Sequence, residues 1–390
     1  MREQLLQIYK TTEINHKDSV ISAYKIKLSF NYGPRVEIIG SVKKDELYNV
    51  EFIDNSSGKV LHSCEITDEM WCSCNIKYFI DWKIRITQKS NNNQKEYKFK
   101  LQNKKVRIVN QSPSLGDCLA WTSVVDQFQK THNCVVDYFT PYLELFNGQY
   151  NNINFLPYSD KQNNDDDYYS SYDLGYYYEQ DDKRPIDCRS RGLQELACDI
   201  LGLEFVESKC RLFIQEQKRP LKEKYVCIST SSTAACKHWQ NETGWQQTVD
   251  YINNLGYKVV VIQKEPLDYM DLKGLKNVLH PQTKGLQDAM TWLSYCEFYI
   301  GLGSGVSWLS WNLNKPVIMI SGFSKPFAEF SNPYRVINTS VCNGCWNDLD
   351  FKFNPSDWNW CPRNKNFECS KKITFDMVKE KIDNCIQFLD

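Results

Sequence analysis

At Lys104 the hydrophobic period of this chain changes, and the change limits the folds open to it. Before it, YKIKLSF, RVEIIGSV, LYNVEFID, KVLHSCEI and WKIRITQ alternate apolar and polar side chains, the period of half-buried strands. NYGP and NSSG supply turns between them. Short alternating strands with turn signals predict a small antiparallel sheet or barrel. After it, KVRIVN is a buried-type strand and SPSLGDCLAWTSVVDQFQKTH a loop leading into an apolar-periodic helix. CVVDYFT is the next strand, and PYLELF begins another helical segment. That β-α-β order predicts a parallel sheet.

A second unit of the same kind starts at KYVCIST. TGWQQTVDYINNLG, LQDAMTWLSYC and SWLSWNLN read as helices, and YKVVVIQ, FYIGLGS and PVIMISG as strands. RGLQELACDILGL, between the units, reads as a helix ended by Gly202. Residues 158–183 are acidic, polar and tyrosine-rich. They read as a solvated surface loop, with an acceptor-binding loop as the functional alternative. The expected class is α/β, with two facing Rossmann-type domains and a ligand cleft between them. The expected boundaries are an N-terminal antiparallel β domain over 1–103 and Rossmann-like units over 104–219 and 220–339. A cysteine-rich tail over 340–390 follows, ending in the helix FDMVKEKIDNCIQFL.

Composition removes several classes of partner. At 390 residues the chain exceeds one ordinary core. Its net charge of −1 offers no footprint for nucleic acid or an anionic membrane. No run approaches the roughly 20 apolar residues that span a bilayer. The start, MREQLLQIYKTTE, lacks the apolar core of a signal peptide, so the expected location is cytoplasmic. Most of the 16 cysteines stand singly in apolar runs and read as reduced, buried thiols.

One cysteine group has ligand spacing. Cys342-Asn-Gly-Cys345 is a CxxC knuckle, and Cys361 and Cys369 follow in an irregular stretch. Four thiolates complete a tetrahedral shell for zinc or iron, and the spacing does not choose between them. Cys385 is a rival fourth ligand, but its place in the final apolar-periodic helix assigns it to the core.

Three loops follow strands. Ser112-Pro-Ser-Leu-Gly-Asp117 brings a carboxylate to a helix start, as an N-cap or as a general base facing the cleft. Ser229–Trp239 carries hydroxyls and Lys237, which suit a diphosphate. Gly301-Leu-Gly-Ser-Gly-Val-Ser-Trp308 opens a helix as a nest-like anion site. Together they favour a nucleotide-diphosphate ligand.

These residues resemble a known group. SLGD, the Thr233-to-KHW segment and GSGVSW are similar to the ADP-heptose-using heptosyltransferases of the two-Rossmann (GT-B) type. RPIDCRSRGLQELACDILGL, GLGSGVSWLSWNLNKPVIMISGFSKPF and the β, catalytic and cysteine-finger arrangement resemble the protein O-heptosyltransferases of bacterial autotransporters. The resemblance implies Asp117 as the base that deprotonates an acceptor serine. It implies Thr233 and Lys237, with Ser232 as a weaker member, as holders of the ADP diphosphate. Ser304 and Gly305 match the second phosphate turn, and Glu265 the carboxylate on the ribose. Cys342, Cys345, Cys361 and Cys369 match a structural iron finger, so iron becomes the first choice of metal. An autotransporter passenger acceptor and a homo-oligomer, up to a dodecamer, are also implied. Lipopolysaccharide heptosyltransferases usually have Asp where this chain has Gly303, which argues for the protein-modifying branch. A lipopolysaccharide core heptosyltransferase and a non-catalytic metal-stapled binding protein are the alternatives.

Overall fold

In a computed structural model, residues 24–389 are described except 42, 163–166, 269–273, 353, 355, 356, 358 and 360. The expectation made for the first thirteen residues lies outside this range. The first seven strands are β1 (Lys25–Asn31), β2 (Arg35–Ile39), β3 (Tyr48–Asp54), β4 (Val60–Ile66), β5 (Trp71–Ser73), β6 (Trp82–Gln88) and β7 (Gln94–Lys98). Their alternation is real: β6 buries Trp82, Ile84 and Ile86 and turns Lys83, Arg85 and Thr87 outward. They do not form one sheet. β4-β3-β6-β7 make a four-stranded antiparallel sheet, while β1, β2 and β5 join the strands that follow Lys104.

The first α/β unit contains β8 (Lys105–Asn110), α1 (Leu115–His132), β9 (Val135–Thr140), β10 (Ile153–Pro157), β11 (Ser170–Leu174) and α2 (Leu193–Leu201). The seven-stranded sheet runs β10-β9-β8-β11-β1-β2-β5. Its members from β10 to β1 are parallel. α1 buries Trp121, Val124, Val125 and Phe128 against the sheet. Each contributes about 1.5–3 kcal/mol of burial. Asn133 in the left-handed region ends α1, and Gly202 at φ +66° ends α2 as expected. Phe79 packs where a Cβ on Gly202 would stand. PYLELF gives only a 3-10 turn, Leu143–Leu145.

The largest departure lies in residues 158–183. The acidic stretch expected as surface loop contains β11, a buried strand between β8 and β1. Ser170 and Ser171 could be read as loop residues, but their hydroxyls are satisfied inside: Ser170 Oγ donates to Phe30 O at 3.1 Å and Ser171 Oγ to Asn31 Oδ1 at 3.0 Å. A buried strand tolerates hydroxyls whose hydrogen bonds are met.

The second unit contains β12 (Tyr225–Ile228), α3 (Gly244–Asn254), β13 (Lys258–Val261), α4 (Leu286–Tyr295), β14 (Tyr299–Leu302), α5 (Gly305–Asn312), β15 (Val317–Ile320) and β16 (Arg335–Val336). Its sheet is wholly parallel, in the order β13-β12-β14-β15-β16. The tail adds α6 (Glu368–Lys371) and α7 (Phe375–Leu389). α7 closes the core of this unit with Val378, Ile382 and Cys385, so Cys385 is a core residue. The segment between the units has no helix or strand over 203–219. Side chains of both units hold it: Cys210 N donates to Asn312 Oδ1 at 2.7 Å and Arg211 N to the Tyr150 hydroxyl at 2.7 Å. Among the described residues, no helix is long and apolar enough to cross a membrane.

Candidate functional site: a cleft between two switch points

The parallel strands of each α/β sheet have a place where neighbouring strands send the chain in opposite directions. In the first it lies between β8 and β11, in the second between β12 and β14. Ligands of open α/β sheets bind outside the carboxyl ends of strands at such points. The four chain segments that leave these strands line one cleft of about 1440 Å³. Asp117, Ser232, Thr233, Lys237, Glu265, Ser304 and Gly305 all line it. The sequence motifs, dispersed over nearly two hundred residues, therefore converge.

The loop after β8 is fixed by its own polar groups. Ser112 N donates to Asn110 Oδ1 at 2.8 Å, and Ser114 N to Ser112 Oγ at 3.2 Å. The N-cap of α1 is Ser114, so Asp117 is not the cap but the third helical residue. Its carboxylate accepts from the Ser112 hydroxyl and, at 3.1 Å, from the Tyr176 hydroxyl. Asp117 is only 7% exposed. Burial raises its pKa above the ordinary carboxyl value, and the charge of Glu329 adds to the rise. The bonds from Ser112 and Tyr176 and the charge of Lys237 act in the opposite direction. A carboxylate made more basic yet kept within reach of a cation suits proton abstraction.

The loop after β12 is equally tied. Thr230 N donates to Gln263 Oε1 at 2.9 Å, and Ser231 Oγ to Glu265 Oε2 at 2.9 Å. His238 Nε2 lies 3.1 Å from Ser232 N and 2.9 Å from Ser232 O. Burial lowers the His238 pKa, favouring the neutral ring. Lys237 ends a 3-10 turn, Ala235–Lys237, at the cleft. Its ammonium makes no ion pair with a described carboxylate, so its charge stays available to a ligand.

The N-termini of α1 and α5 meet in this cleft. Neither N-cap serine, Ser114 or Ser304, makes a side-chain cap bond. Uncapped first-turn N–H groups and the positive ends of two helix dipoles thus lie beside Lys237, an environment for phosphate. The approach needs glycine on both sides. A Cβ on Gly305 would lie 2.8 Å from Leu115 Cβ and 3.0 Å from Gly116 N, and one on Gly116 3.3 Å from Trp308 Cδ1.

Several cleft residues carried no motif. Tyr176 lay hidden in the acidic stretch, where the alternation of Ser170 to Leu174 was its only signal. Glu329 and Trp346 also line the cleft. Trp308 Nε1 donates to Glu329 Oε2 at 2.9 Å, and a Cβ on Gly303 would lie 2.8 Å from Glu329 Oε1. The carboxylate of Glu329 thus occupies the space in front of Gly303. Trp346 stands edge-on to Tyr176 and Tyr178, at 5.8 and 6.3 Å.

Trp346 brings the cysteine tail to the cleft wall. Arg189 holds that segment from the first unit: its guanidinium donates to the carbonyls of Trp346 at 2.7 Å and Cys345 at 3.2 Å, and to those of Asp348 and Phe351. All sixteen cysteines are free thiols. Cys342, Cys345, Cys361 and Cys369 are close enough that burial of Cys369 and then the charges of the other three push its thiol up to about 12. Gly344 at φ +68° turns the CxxC knuckle. Donor type and neighbourhood fit four thiolates. Among the described residues, however, no three His, Cys, Asp or Glu side chains converge into a metal-holding group.

Known proteins of similar sequence and fold are heptosyltransferases by name. The pattern of glycosyltransferase family 9 (heptosyltransferase) matches residues 195–357. The chain is 33% identical over 369 residues to the autotransporter heptosyltransferase Aah of Escherichia coli, covering 90% of each. A solved structure of the dodecameric iron-containing heptosyltransferase TibC, in complex with ADP-D-β-D-heptose, superposes with TM-score 0.85 at 31% identity, covering 97% of this chain and 100% of that one. A relative described as inactive, BimC of Burkholderia thailandensis, is 31% identical over 73% of this chain and 69% of its own. The chain belongs to the autotransporter heptosyltransferases of glycosyltransferase family 9.

Proposed function

We propose that this enzyme transfers heptose from ADP-heptose to serine hydroxyls of an autotransporter passenger protein in the cytoplasm. The observation that carries the reading is that Asp117 and Lys237, from opposite switch points, share one cleft, where the Lys237 charge acts on the Asp117 carboxyl. A serine hydroxyl is a weak nucleophile at neutral pH. Asp117 takes its proton as the serine oxygen attacks the anomeric carbon. The bond from that carbon to the β-phosphate oxygen breaks, and ADP leaves with the electron pair. Lys237, the Ser232 and Thr233 hydroxyls and the N–H groups at Ser304–Gly305 stabilise the charge on the departing diphosphate. Glu265, held by Ser231, accepts from the ribose hydroxyls.

Cys342, Cys345, Cys361 and Cys369 are the residues that would hold iron, with zinc as the rival. Bound there, the metal supplies a cross-link that fixes the tail. The domain divisions at residues 219 and 339 and a homo-oligomeric assembly, up to a dodecamer, belong to the same reading, while β1, β2 and β5 take the first α/β unit back across residue 103.

The test is incubation of purified protein with ADP-heptose and a passenger, followed by intact mass. The expected result is addition of heptose with equivalent release of ADP, abolished in Asp117→Ala while ADP binding persists. Transfer to a lipid acceptor and none to the passenger would overturn the acceptor assignment. Full activity in Asp117→Ala would overturn the base.

A further inference from the structure

Glu329 is a carboxylate for which the chemistry above has no use. It follows the turn Pro326–Ala328, beyond β15. One oxygen is fixed, because Oε2 accepts from Trp308 Nε1 at 2.9 Å. The indole that holds it is itself fixed, edge-on to Phe330 at 5.0 Å. The other oxygen, Oε1, stands over Gly303 at the cleft wall, where any side chain at 303 would displace it. Among the described residues Glu329 has no Lys, Arg or His within ion-pair distance, and its charge reaches Asp117, Tyr176 and the guanidinium of Arg335.

Glu329 is acceptor-only, and its charge acts unfavourably on Asp117. Oε1 retains acceptor capacity toward hydroxyl donors in the cleft. The group bonded to a diphosphate held at Ser304–Gly305, and presented to Asp117, is the sugar, a neutral polyol rich in O–H donors. We propose that Glu329 holds the donor sugar, Oε1 accepting from its hydroxyls while Trp308 pins Oε2. The inference rests on the transfer reading above and adds the residue that distinguishes a glycosylated nucleotide from the bare one. A hydrogen bond to a charged acceptor is lost with a penalty large enough to decide between ligands.

The test is calorimetric titration of wild type, Glu329→Gln and Glu329→Ala with ADP and with ADP-heptose, together with transfer kinetics. Glu329→Gln keeps the size of the side chain and an oxygen for Trp308, so it tests the charge without opening a cavity. The expected result is ADP affinity within about twofold of wild type, with ADP-heptose affinity reduced about tenfold or more and donor KM raised to match. Equal weakening of both ligands would make Glu329 a prop for Trp308 and overturn the proposal. Unchanged ADP-heptose affinity in both variants would overturn it too, while leaving the transfer reading standing. Wild-type protein that binds ADP but gains nothing from the heptose would overturn the heptose-donor reading, and this sugar contact with it.

Discussion

The hydroxyl of Tyr176 donates to Asp117 Oδ1 at 3.1 Å, joining the ends of two neighbouring parallel strands. This bond favours the ionised carboxylate and so lowers the Asp117 pKa against the rise that burial imposes. Tyr176→Phe should therefore raise it. The base must be ionised to act, so the acid limb of the kcat/KM profile is expected to move to higher pH. An acid limb identical to wild type would separate the tyrosine from the base.

Asp117 also makes a statement about stability. Burial lifts its folded pKa above the unfolded value of about 3.9. Stability from this group is full below the unfolded value and is lost as pH rises through the folded one. Above the folded pKa the native state carries a buried charge. Asp117→Asn keeps one acceptor oxygen, turns its amide NH2 to the other hydroxyl, and removes that charge. Transfer should fall about 10²–10⁴-fold, while Tm at pH 7 equals or exceeds wild type and the gap closes on acidification. A lower Tm for the variant at pH 7 would contradict the buried-charge argument.

Gly305 is a point of close approach between the two units. Its Cβ would lie 2.8 Å from Leu115 Cβ and 3.0 Å from backbone N of Gly116. Gly305→Ala should cost about 1–3 kcal/mol by overpacking and weaken ADP binding as α5 is displaced. Gly116→Ala, whose nearest neighbour is a side-chain atom at 3.3 Å, should cost less. Thermal melts with and without ADP order the two, and the reverse order would place the tight contact elsewhere.

Arg189 is 6% exposed and bonds four carbonyls of the cysteine segment. Arg189→Ala leaves those carbonyls unsatisfied and should cost about 3 kcal/mol. Hydrogen exchange should quicken around residues 345–351. Exchange unchanged there would mean that the segment is held from elsewhere.

The metal is tested separately. Cys345→Ala is expected to lose bound iron by elemental analysis and to loosen the tail, shown by faster proteolysis beyond residue 340. Undiminished metal content would show that the four-thiolate assignment is wrong.

Much of the fold was legible because its strands obey one of two periods. β6 alternates and β12 is apolar throughout, and each was read correctly. β11 was not, since its serines and acidic neighbours look solvated until β1 and β8 flank them and satisfy the hydroxyls. The same limit applies to sheet membership. Alternation places β1, β2 and β5 in a sheet but says nothing about which, and pairing with β11 assigns them to the first α/β unit.

The site divides in the same way. Strand-loop-helix patterns with hydroxyls, glycines, Lys237 and Asp117 are local, because phosphate and base chemistry require those residue types within a few positions of a strand end. Sequence by itself therefore determined two α/β units and the loop residues that line the cleft. Tyr176 beside Asp117, Glu329 over Gly303 and Trp346 carried by Arg189 to the cleft are relationships between distant segments. Only tertiary structure decided them, because hydrogen-bond geometry and burial act through space, with no period along the chain to announce them.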